Sequence, residues 1–471
     1  MSKYDIMDDF EIMGFWWLPE NGNKKVPGVL KFSADKEIKL ELMGSFHESI
    51  RQAIDSKQAQ YFEIILGESK GTKFTLLRSQ EMDKKIGSIG NSNYMLSSFY
   101  CEYIIKGIHF LSLDDVKFAQ MNINFIYLED WIVPDPFKFE DMKTIRYVDP
   151  PENHIKIEKI NSIISIVSTQ SVSNDFKTVS MSVHSFFIIK PVAESKDLVW
   201  YEAVIGCLGN FLTLAIGMPT YPKTMRAYLS NNYEIEIYFA INNILFEGDI
   251  HFSQMVIPYA DLSSYLDRFL NNWFNYSDTL EPVYELFFGT YYSQLYVHFY
   301  FLSLIQAIEA FHRRIYEDNG EYLSDSDYEP LRSSLTNSIP TTFPDGSDYP
   351  AGFRDALKNK IKYGNEYSLR TRLKQLSNDI WRPLNSLLYE NSDIFNNYIV
   401  NSRNYLTHYE KDPSCRVFEG KDLIPINIII HSLFLIVLLI HMGIPKLDAF
   451  RIVQKHNGKA LTNAINGIFQ D

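Results

Sequence analysis

The sequence predicts an α+β protein in which a β-rich region precedes an all-α helical bundle. Short runs of alternating apolar and polar residues, separated by turn-forming residues, fill the first half of the chain. From about residue 260 the apolar residues recur three and four positions apart, which is the spacing of amphipathic helices. We place the boundary at residue 285, so that the predicted domains are 1–285, which is long enough for two subdomains, and 286–471.

Two predicted hairpins open the β-rich region. Residues 26–46 form two alternating runs around the turn-like stretch SADKE, and residues 61–79 do the same around SKG. Short strands joined by turns are typical of an antiparallel sandwich or a barrel-like domain. The other predicted elements here are strands at 100–110, 122–133, 179–191 and 232–241, and a helix at 196–219 that ends at Pro219.

The predicted bundle begins with a long amphipathic stretch, residues 259–317. A polar, proline-rich interruption follows at residues 336–353, and the chain contains no internal repeat. The remaining predicted helices lie at 353–361, 367–389, 392–410 and 423–445.

The composition limits location and partners. Cys101, Cys207 and Cys415 are far apart in sequence and form no CxxC pair, which predicts a reducing cytoplasm. The formal net charge of −13 argues against broad nucleic-acid binding, because Lys and Arg provide the affinity for phosphate. Any nucleic-acid site must therefore be a local basic patch.

One basic patch lies at residues 354–374, which hold seven basic and two acidic residues. From it we predict Lys358, Lys362, Arg370 and Arg372 as RNA-binding residues. An ordinary solvated helix face explains the same charges equally well.

The stretch 423–445 has no Asp, Glu, Lys or Arg over a length that could span a membrane. Pro425, Asn427, His431 and His441 interrupt it, and a helix apolar on all sides also suits the centre of a bundle. We predict a core helix and no membrane contact, with a membrane anchor as the alternative.

The most informative stretch is Arg-Asn-Tyr-Leu-Thr-His at residues 403–408, in a helix expected to have Ser392 or Asp393 as its N-cap. On a helical wheel Arg403, Asn404 and His408 point away from the core, and Asn396 lies on their polar face. The expected core stripe contains Ile394, Phe395, Tyr398, Ile399, Tyr405, Leu406 and Tyr409.

Two interpretations of this surface stay open. It is either a solvated polar face or a site completed by a second copy across a two-fold axis. An imidazole that exchanges a proton near neutral pH suits general acid–base catalysis, and an arginine can hold a phosphate with two hydrogen bonds. The same Arg–His spacing occurs at Arg451 and His456, so spacing alone is a weak signal.

Three stretches together resemble a known family. Arg-Asn-x-x-x-His near the end of a bundle helix, followed by an apolar helix, resembles the catalytic signature of HEPN-domain ribonucleases. Residues 302–314 resemble the first HEPN helix of the ApeA-like anti-phage proteins, and residues 14–46 resemble the N-terminal domain found with it. Arg451 and His456 lack the asparagine and do not match.

The resemblance implies metal-independent RNA cleavage by a HEPN homodimer in the defence of a bacterial cell against phage, through abortive infection. Arg403 and His408 are then the catalytic pair and Asn404 supports them. Glu309 matches an acidic position that orients Arg403, although it is equally well placed as a local partner of Arg313. RNA, with tRNA as one candidate, and a phage-derived trigger are the implied partners.

The alternative function is a noncatalytic HEPN module that binds a nucleotide or a protein. The retained histidine beside Arg403 favours the nuclease, because a pure binding module needs no titratable group there. The sequence has no Walker loop, no zinc-type Cys/His cluster and no GxSxG motif, so neither a cofactor nor a metal is predicted.

Overall fold

The computed structural model describes residues 8–47, 59–89, 92–132, 136–141, 144–150, 152–241, 248, 250–316, 320–410 and 413–469. The chain divides into two compact units, Met1–Asn275 and Tyr276–Asp471. The first unit is β-rich and the second is helical, so the predicted fold class is confirmed.

A six-stranded antiparallel barrel forms the first part of the β-rich unit. Its strands run in the order β5-β4-β1-β2-β3-β6, and β6 pairs with β5 to close the barrel. The predicted hairpins are confirmed as β2–β3 and β4–β5. The strands are β1 (Phe10–Trp17), β2 (Val26–Phe32), β3 (Ile38–Leu42), β4 (Tyr61–Ser69), β5 (Thr72–Ile89) and β6 (Ser92–Cys101).

Alternation along the strands fills the barrel. In β2, Val26, Leu30 and Phe32 are buried, and Lys31 between the last two is half-exposed. Trp16 of β1 is fully buried. This period of two is the feature that made the hairpins predictable from the sequence.

The sheet continues from β5 beyond the barrel, in the order β7-β17-β16-β9-β14-β13-β12. The strands predicted at 232–241 and 179–191 are confirmed as β17 and β14. The strand predicted at 122–133 ends at Phe125, and a short helix replaces its second half. The strands are β7 (Tyr103–Lys106), β8 (Lys117–Phe118), β9 (Gln120–Phe125), β10 (Phe137–Phe139), β11 (Ile145–Tyr147), β12 (Asn153–Ile157), β13 (Ser162–Asp175), β14 (Thr178–Pro191), β15 (Lys196–Asp197), β16 (Pro222–Tyr228) and β17 (Glu234–Phe239).

Among the described residues, four helices accompany this sheet. The longest begins after Asp197, whose carboxylate accepts the Trp200 backbone N–H at 2.8 Å, and ends at Gly217, which has a left-handed φ of 86°. The last helical residue is Ile216, three residues before the predicted end at Pro219, because Gly217 already supplies the left-handed cap. The helices are α1 (Leu128–Ile132), α2 (Leu198–Ile216), α3 (Tyr259–Leu262) and α4 (Leu266–Asn275).

The second unit is helical throughout its described residues apart from its connections. A helix inside the predicted amphipathic stretch is confirmed as α6, and the last helix, α13, was not predicted. The helices are α5 (Glu281–Gly289), α6 (Val297–Ile315), α7 (Asp325–Asn337), α8 (Phe353–Lys362), α9 (Leu369–Leu384), α10 (Ser386–Glu390), α11 (Ser392–His408), α12 (Leu423–His441) and α13 (Lys446–Phe469).

Helix α12 lies at the centre of this unit and packs against α6, α9 and α13. Two helices of the described chain, Leu198–Ile216 and the stretch Gly420–His441, are long and apolar enough to cross a membrane by length and composition alone. Most of each is buried within the protein, which is also the behaviour of a core helix.

Candidate functional site

Helix α11 carries the candidate site, and its buried face differs from the predicted stripe. Phe395, Ile399 and Leu406 are buried as expected, but Ile394 and Tyr409 are exposed. Ser402 and Asn396 are buried instead, so the prediction of Asn396 on the polar face is wrong. The helix begins at Ser392 with Asn391 as its N-cap, because α10 ends only two residues earlier.

Arg403, Asn404 and His408 lie on the side of α11 that faces away from this core; we call them the Arg403–Asn404–His408 surface. Arg403 is half-buried at the edge of the stripe, and Asn404 and His408 are exposed. The Arg403 guanidinium donates from Nη1 to Asn404 Oδ1 at 3.3 Å, and His408 is the last residue of the helix. Asn404 therefore links the cation to the turn that carries the imidazole.

This surface is open within a single chain. Across the described residues, Arg403 has no carboxylate within ion-pair distance, and its one side-chain hydrogen bond is the one to Asn404. A guanidinium without an acidic partner keeps its remaining donors available for an anion such as phosphate.

The segment that follows α11 holds the helix in place through two hydrogen bonds. Ser402 Oγ accepts the Phe418 backbone N–H at 2.9 Å, and the Tyr405 hydroxyl donates to Glu419 Oε2 at 3.0 Å. Tyr409 ends the helix in a left-handed conformation with φ 55°, and its N–H bonds to the Tyr405 carbonyl. Sequence reasoning missed these contacts, since they join residues 14 and 16 positions apart.

Glu309 lies half-buried on α6 and makes no hydrogen bond with Arg403 in the described chain. Arg313, the other partner predicted for Glu309, bonds instead to Glu366 Oε2 at 3.0 Å. In the described chain, Glu309 is therefore not bonded to Arg403, the residue that it was predicted to orient.

The predicted basic patch separates into exposed and buried residues. Lys362 and Arg370 are exposed, and Lys358 is half-buried and paired with Asp355 at 3.3 Å. Lys358 and Lys362 are one turn apart on α8, and Arg370 is near the start of α9. Lys362 and Arg370 have no acidic partner among the described residues and remain available to an anion, whereas Lys358 shares its charge with Asp355.

Arg372 is fully buried, so its prediction as an RNA-binding residue is wrong. Its guanidinium donates to the carbonyls of Gly320 and Tyr367, each at 3.2 Å, and to Nδ1 of the buried His312 at 3.2 Å. Because Nδ1 accepts, the proton of neutral His312 is on Nε2, which lies 2.6 Å from Gln375 Oε1. Arg372 is thus a structural residue of the bundle.

The second Arg–His pair lies on α13. Arg451 is exposed and pairs with Asp448 at 3.0 Å, and His456 is exposed on the same helix. Within the part of the chain that the structure describes, no group of three or more His, Cys, Asp and Glu residues is arranged to hold a metal ion.

Two protein-family models match the chain. The model described as ApeA N-terminal domain 1 matches residues 11–273, and the model described as Apea-like HEPN matches residues 302–447. The second range includes Glu309 and the 403–408 stretch and ends before Arg451. The search of curated proteins and the search of solved structures each found no match.

A barrel-containing β-rich unit followed by a HEPN bundle defines a two-domain protein of the HEPN class, a family of RNases often used in defence. The first family model covers more than half of the 471 residues. The chain belongs to the ApeA-like proteins, as the resemblance in the sequence implied.

Proposed function

We propose that this protein is a metal-independent endoribonuclease of anti-phage defence, and that Arg403, Asn404 and His408 carry out the cleavage. The observation that carries the proposal is the Arg403–Asn404–His408 surface: a guanidinium with no carboxylate partner in the described chain, bonded to an amide, one turn from an exposed imidazole. A noncatalytic binding module has no need for this imidazole.

The proposed reaction uses RNA's own 2′-hydroxyl as the nucleophile. His408 removes the hydroxyl proton or protonates the leaving 5′-oxygen, and Arg403 stabilises the extra negative charge on the phosphorus oxygens in the transition state. The P–O5′ bond breaks as the P–O2′ bond forms, so the products are a 2′,3′-cyclic phosphate and a 5′-hydroxyl. Asn404 holds Arg403 in position.

One imidazole cannot act as both base and acid in a single step. We therefore include a homodimer in the proposal, in which two Arg403–Asn404–His408 surfaces face each other and form one cleft. Lys358, Lys362 and Arg370 are the proposed RNA contacts outside this cleft. The substrate is proposed to be RNA in the cytoplasm, with tRNA as the first candidate and a phage-derived signal as the trigger.

Growth and phage plaque assays with single variants test the assignment in cells. Arg403→Ala and His408→Ala should each abolish toxicity and defence, because both side chains lie off the buried face of α11 and their loss leaves the fold intact. The matched controls are Arg451→Ala and His456→Ala, which change the same residue types on α13. Equal loss from both pairs, or from neither, would contradict the assignment.

A further inference from the structure

A second arginine without an acidic partner lies in the segment that follows α11. Arg416 is exposed, and its guanidinium makes no hydrogen bond or ion pair within the described chain. The side chain lies instead over two aromatic rings, with Cζ 5.2 Å from the ring centre of Tyr398 and 4.8 Å from that of Phe418. The attraction of a cation to the face of a ring uses none of its N–H donors. Among the described residues, nothing therefore occupies the five donors of this guanidinium.

The two rings hold Arg416 against α11. Tyr398 belongs to the helix, and its ring centre lies 5.2 Å from that of Phe418. Phe418 is 5% exposed, and its backbone N–H donates to Ser402 Oγ at 2.9 Å. A side chain that is positioned before binding loses less conformational freedom when a ligand arrives.

The position of these rings relates Arg416 to the candidate site. On a helical wheel Tyr398 is about 80° from His408 and about 140° from Arg403, so Arg416 lies on the His408 side of α11. Tyr398 precedes His408 by ten residues, which is about 15 Å along the helix axis. The guanidinium over its ring is therefore placed for a neighbouring phosphate of the same strand, and not for the phosphate at His408.

The chemistry of Arg416 selects an oxyanion. A planar guanidinium donates two parallel hydrogen bonds to a phosphate or a carboxylate. Glu419, three residues further on, accepts a hydrogen bond from the Tyr405 hydroxyl and not from Arg416. The proposed substrate, RNA, carries a phosphate at every nucleotide and supplies the missing acceptor.

We infer that Arg416 is an RNA-binding residue, which holds a backbone phosphate next to the scissile one through the N–H groups of its guanidinium. This inference rests on the proposed function, because RNA is the ligand that brings the phosphate. It adds a contact beside α11 to those proposed for Lys358, Lys362 and Arg370. The sequence analysis did not find Arg416, since its role depends on two rings that only the fold brings together.

RNA binding is measured with a probe that cannot be cut. A short single-stranded oligouridylate with every 2′-hydroxyl methylated keeps the phosphates and lacks the nucleophile. Fluorescence anisotropy with the full-length protein at several salt concentrations gives both the affinity and its salt dependence. Arg416→Ala should weaken binding about tenfold and lower the slope of log K against log salt by about 0.7, the loss of one phosphate contact. Arg416→Lys should keep the slope but lose part of the affinity, because an ammonium lacks the planar fork.

Arg382 provides the matched control. It is also exposed, and its Cζ lies 5.8 Å from the ring centre of Tyr389, before the start of α11. Arg382→Ala removes the same charge and the same kind of ring contact, and it should leave affinity and salt slope almost unchanged. Thermal unfolding of each variant separates a loss of stability from the loss of a phosphate contact.

Cleavage kinetics provide a second readout, on an RNA that the wild-type protein cuts. Arg416→Ala should raise KM about tenfold with kcat almost unchanged, because a phosphate away from the reacting bond is held equally in the ground state and the transition state. Arg403→Ala should instead lower kcat, since its contact strengthens as the charge develops.

Unchanged affinity and salt slope in Arg416→Ala, or an unchanged KM, would overturn the inference, even if the variant unfolds at a lower temperature. The proposed nuclease function would then stand, because the wild-type protein still cuts RNA. An equal effect of Arg382→Ala would assign the loss to net charge and would also overturn it. A wild-type protein that neither binds the probe nor cuts RNA would contradict the proposed function and this inference together.

Discussion

At the scale of single residues, burial separates two arginines that are two positions apart in the sequence. Arg370 is exposed, whereas Arg372 is fully buried and bonded to two backbone carbonyls and His312. Charge counting along the sequence treats the two alike, since their net contribution is the same. The packing of α9 against α6 determines which of the two arginines is accessible to solvent and to RNA.

Alanine at position 372 should therefore lower stability, whereas alanine at position 370 should weaken RNA binding. Arg372→Ala removes the buried guanidinium that donates to the Gly320 and Tyr367 carbonyls and to His312 Nδ1, and we expect the free energy of unfolding to fall by about 3 kcal/mol or more. Arg370→Ala should change it by no more than about 0.5 kcal/mol and weaken RNA binding instead. Denaturant unfolding and RNA titration measure the two effects. Wild-type stability of Arg372→Ala with weaker RNA binding would contradict this assignment.

At the scale of elements, periodicity predicted the existence of α11 but not its exact buried face. Tyr409 lies beyond the last helical turn in a left-handed conformation, so a helical wheel does not describe its position. Ser402 is buried because its hydroxyl accepts the Phe418 N–H, a contact that no local pattern contains. The position of Arg403 at the edge of the stripe was nevertheless predictable, because it depends only on the spacing from Ile399 and Leu406.

Helix α12 should make the stability of the protein depend on pH through His431. Burial, reinforced by nearby His456, lowers its pKa in the folded protein from the ordinary 6.5 to about 4, so the unfolded chain binds the proton more readily. The stabilisation is complete above pH 6.5 and is lost as the pH falls from 6.5 towards 4, by up to about 3 kcal/mol.

Comparison with His431→Gln isolates this contribution from that of other titrating groups. Glutamine keeps a hydrogen-bonding group near the Tyr291 hydroxyl, which lies 2.8 Å from His431 Nε2, but does not titrate. Its free energy of unfolding, followed by circular dichroism across this pH range, should therefore fall less steeply than that of wild type. Parallel pH profiles for the two proteins would exclude His431 as the source.

At the scale of the whole molecule, the sequence supplied the order of a β-rich unit and a helical unit, because periods of two and of 3.6 are local properties. It did not supply the closure of the barrel, since the pairing of β5 with β6 and of β1 with β4 depends on strand order. Helix α13 was not predicted from the sequence, because its apolar residues, such as Ile452, Leu461 and Ile468, are spread among many polar ones.

The proposed dimer can be tested by mixing inactive chains. An Arg403→Ala chain coexpressed with a His408→Ala chain forms mixed dimers, and one composite cleft can then contain an intact Arg403 and an intact His408 from different subunits. We expect partial recovery of RNA cleavage in the mixture and none in either variant alone. Mixed dimers that stay inactive would indicate a site completed within each subunit, and a fully active monomer would exclude the composite cleft.

We propose that the Arg403–Asn404–His408 surface cleaves RNA through the 2′-hydroxyl. The most direct measurement compares an RNA substrate with the same RNA carrying a single 2′-deoxy group at the scissile position, in excess EDTA. The ordinary RNA should be cut to a cyclic phosphate and a 5′-hydroxyl, and His408→Ala should slow the reaction by about 10²- to 10⁴-fold with binding almost unchanged. The deoxy substrate should bind and remain intact. Cleavage of the deoxy substrate, or loss of all cleavage in EDTA, would contradict the mechanism.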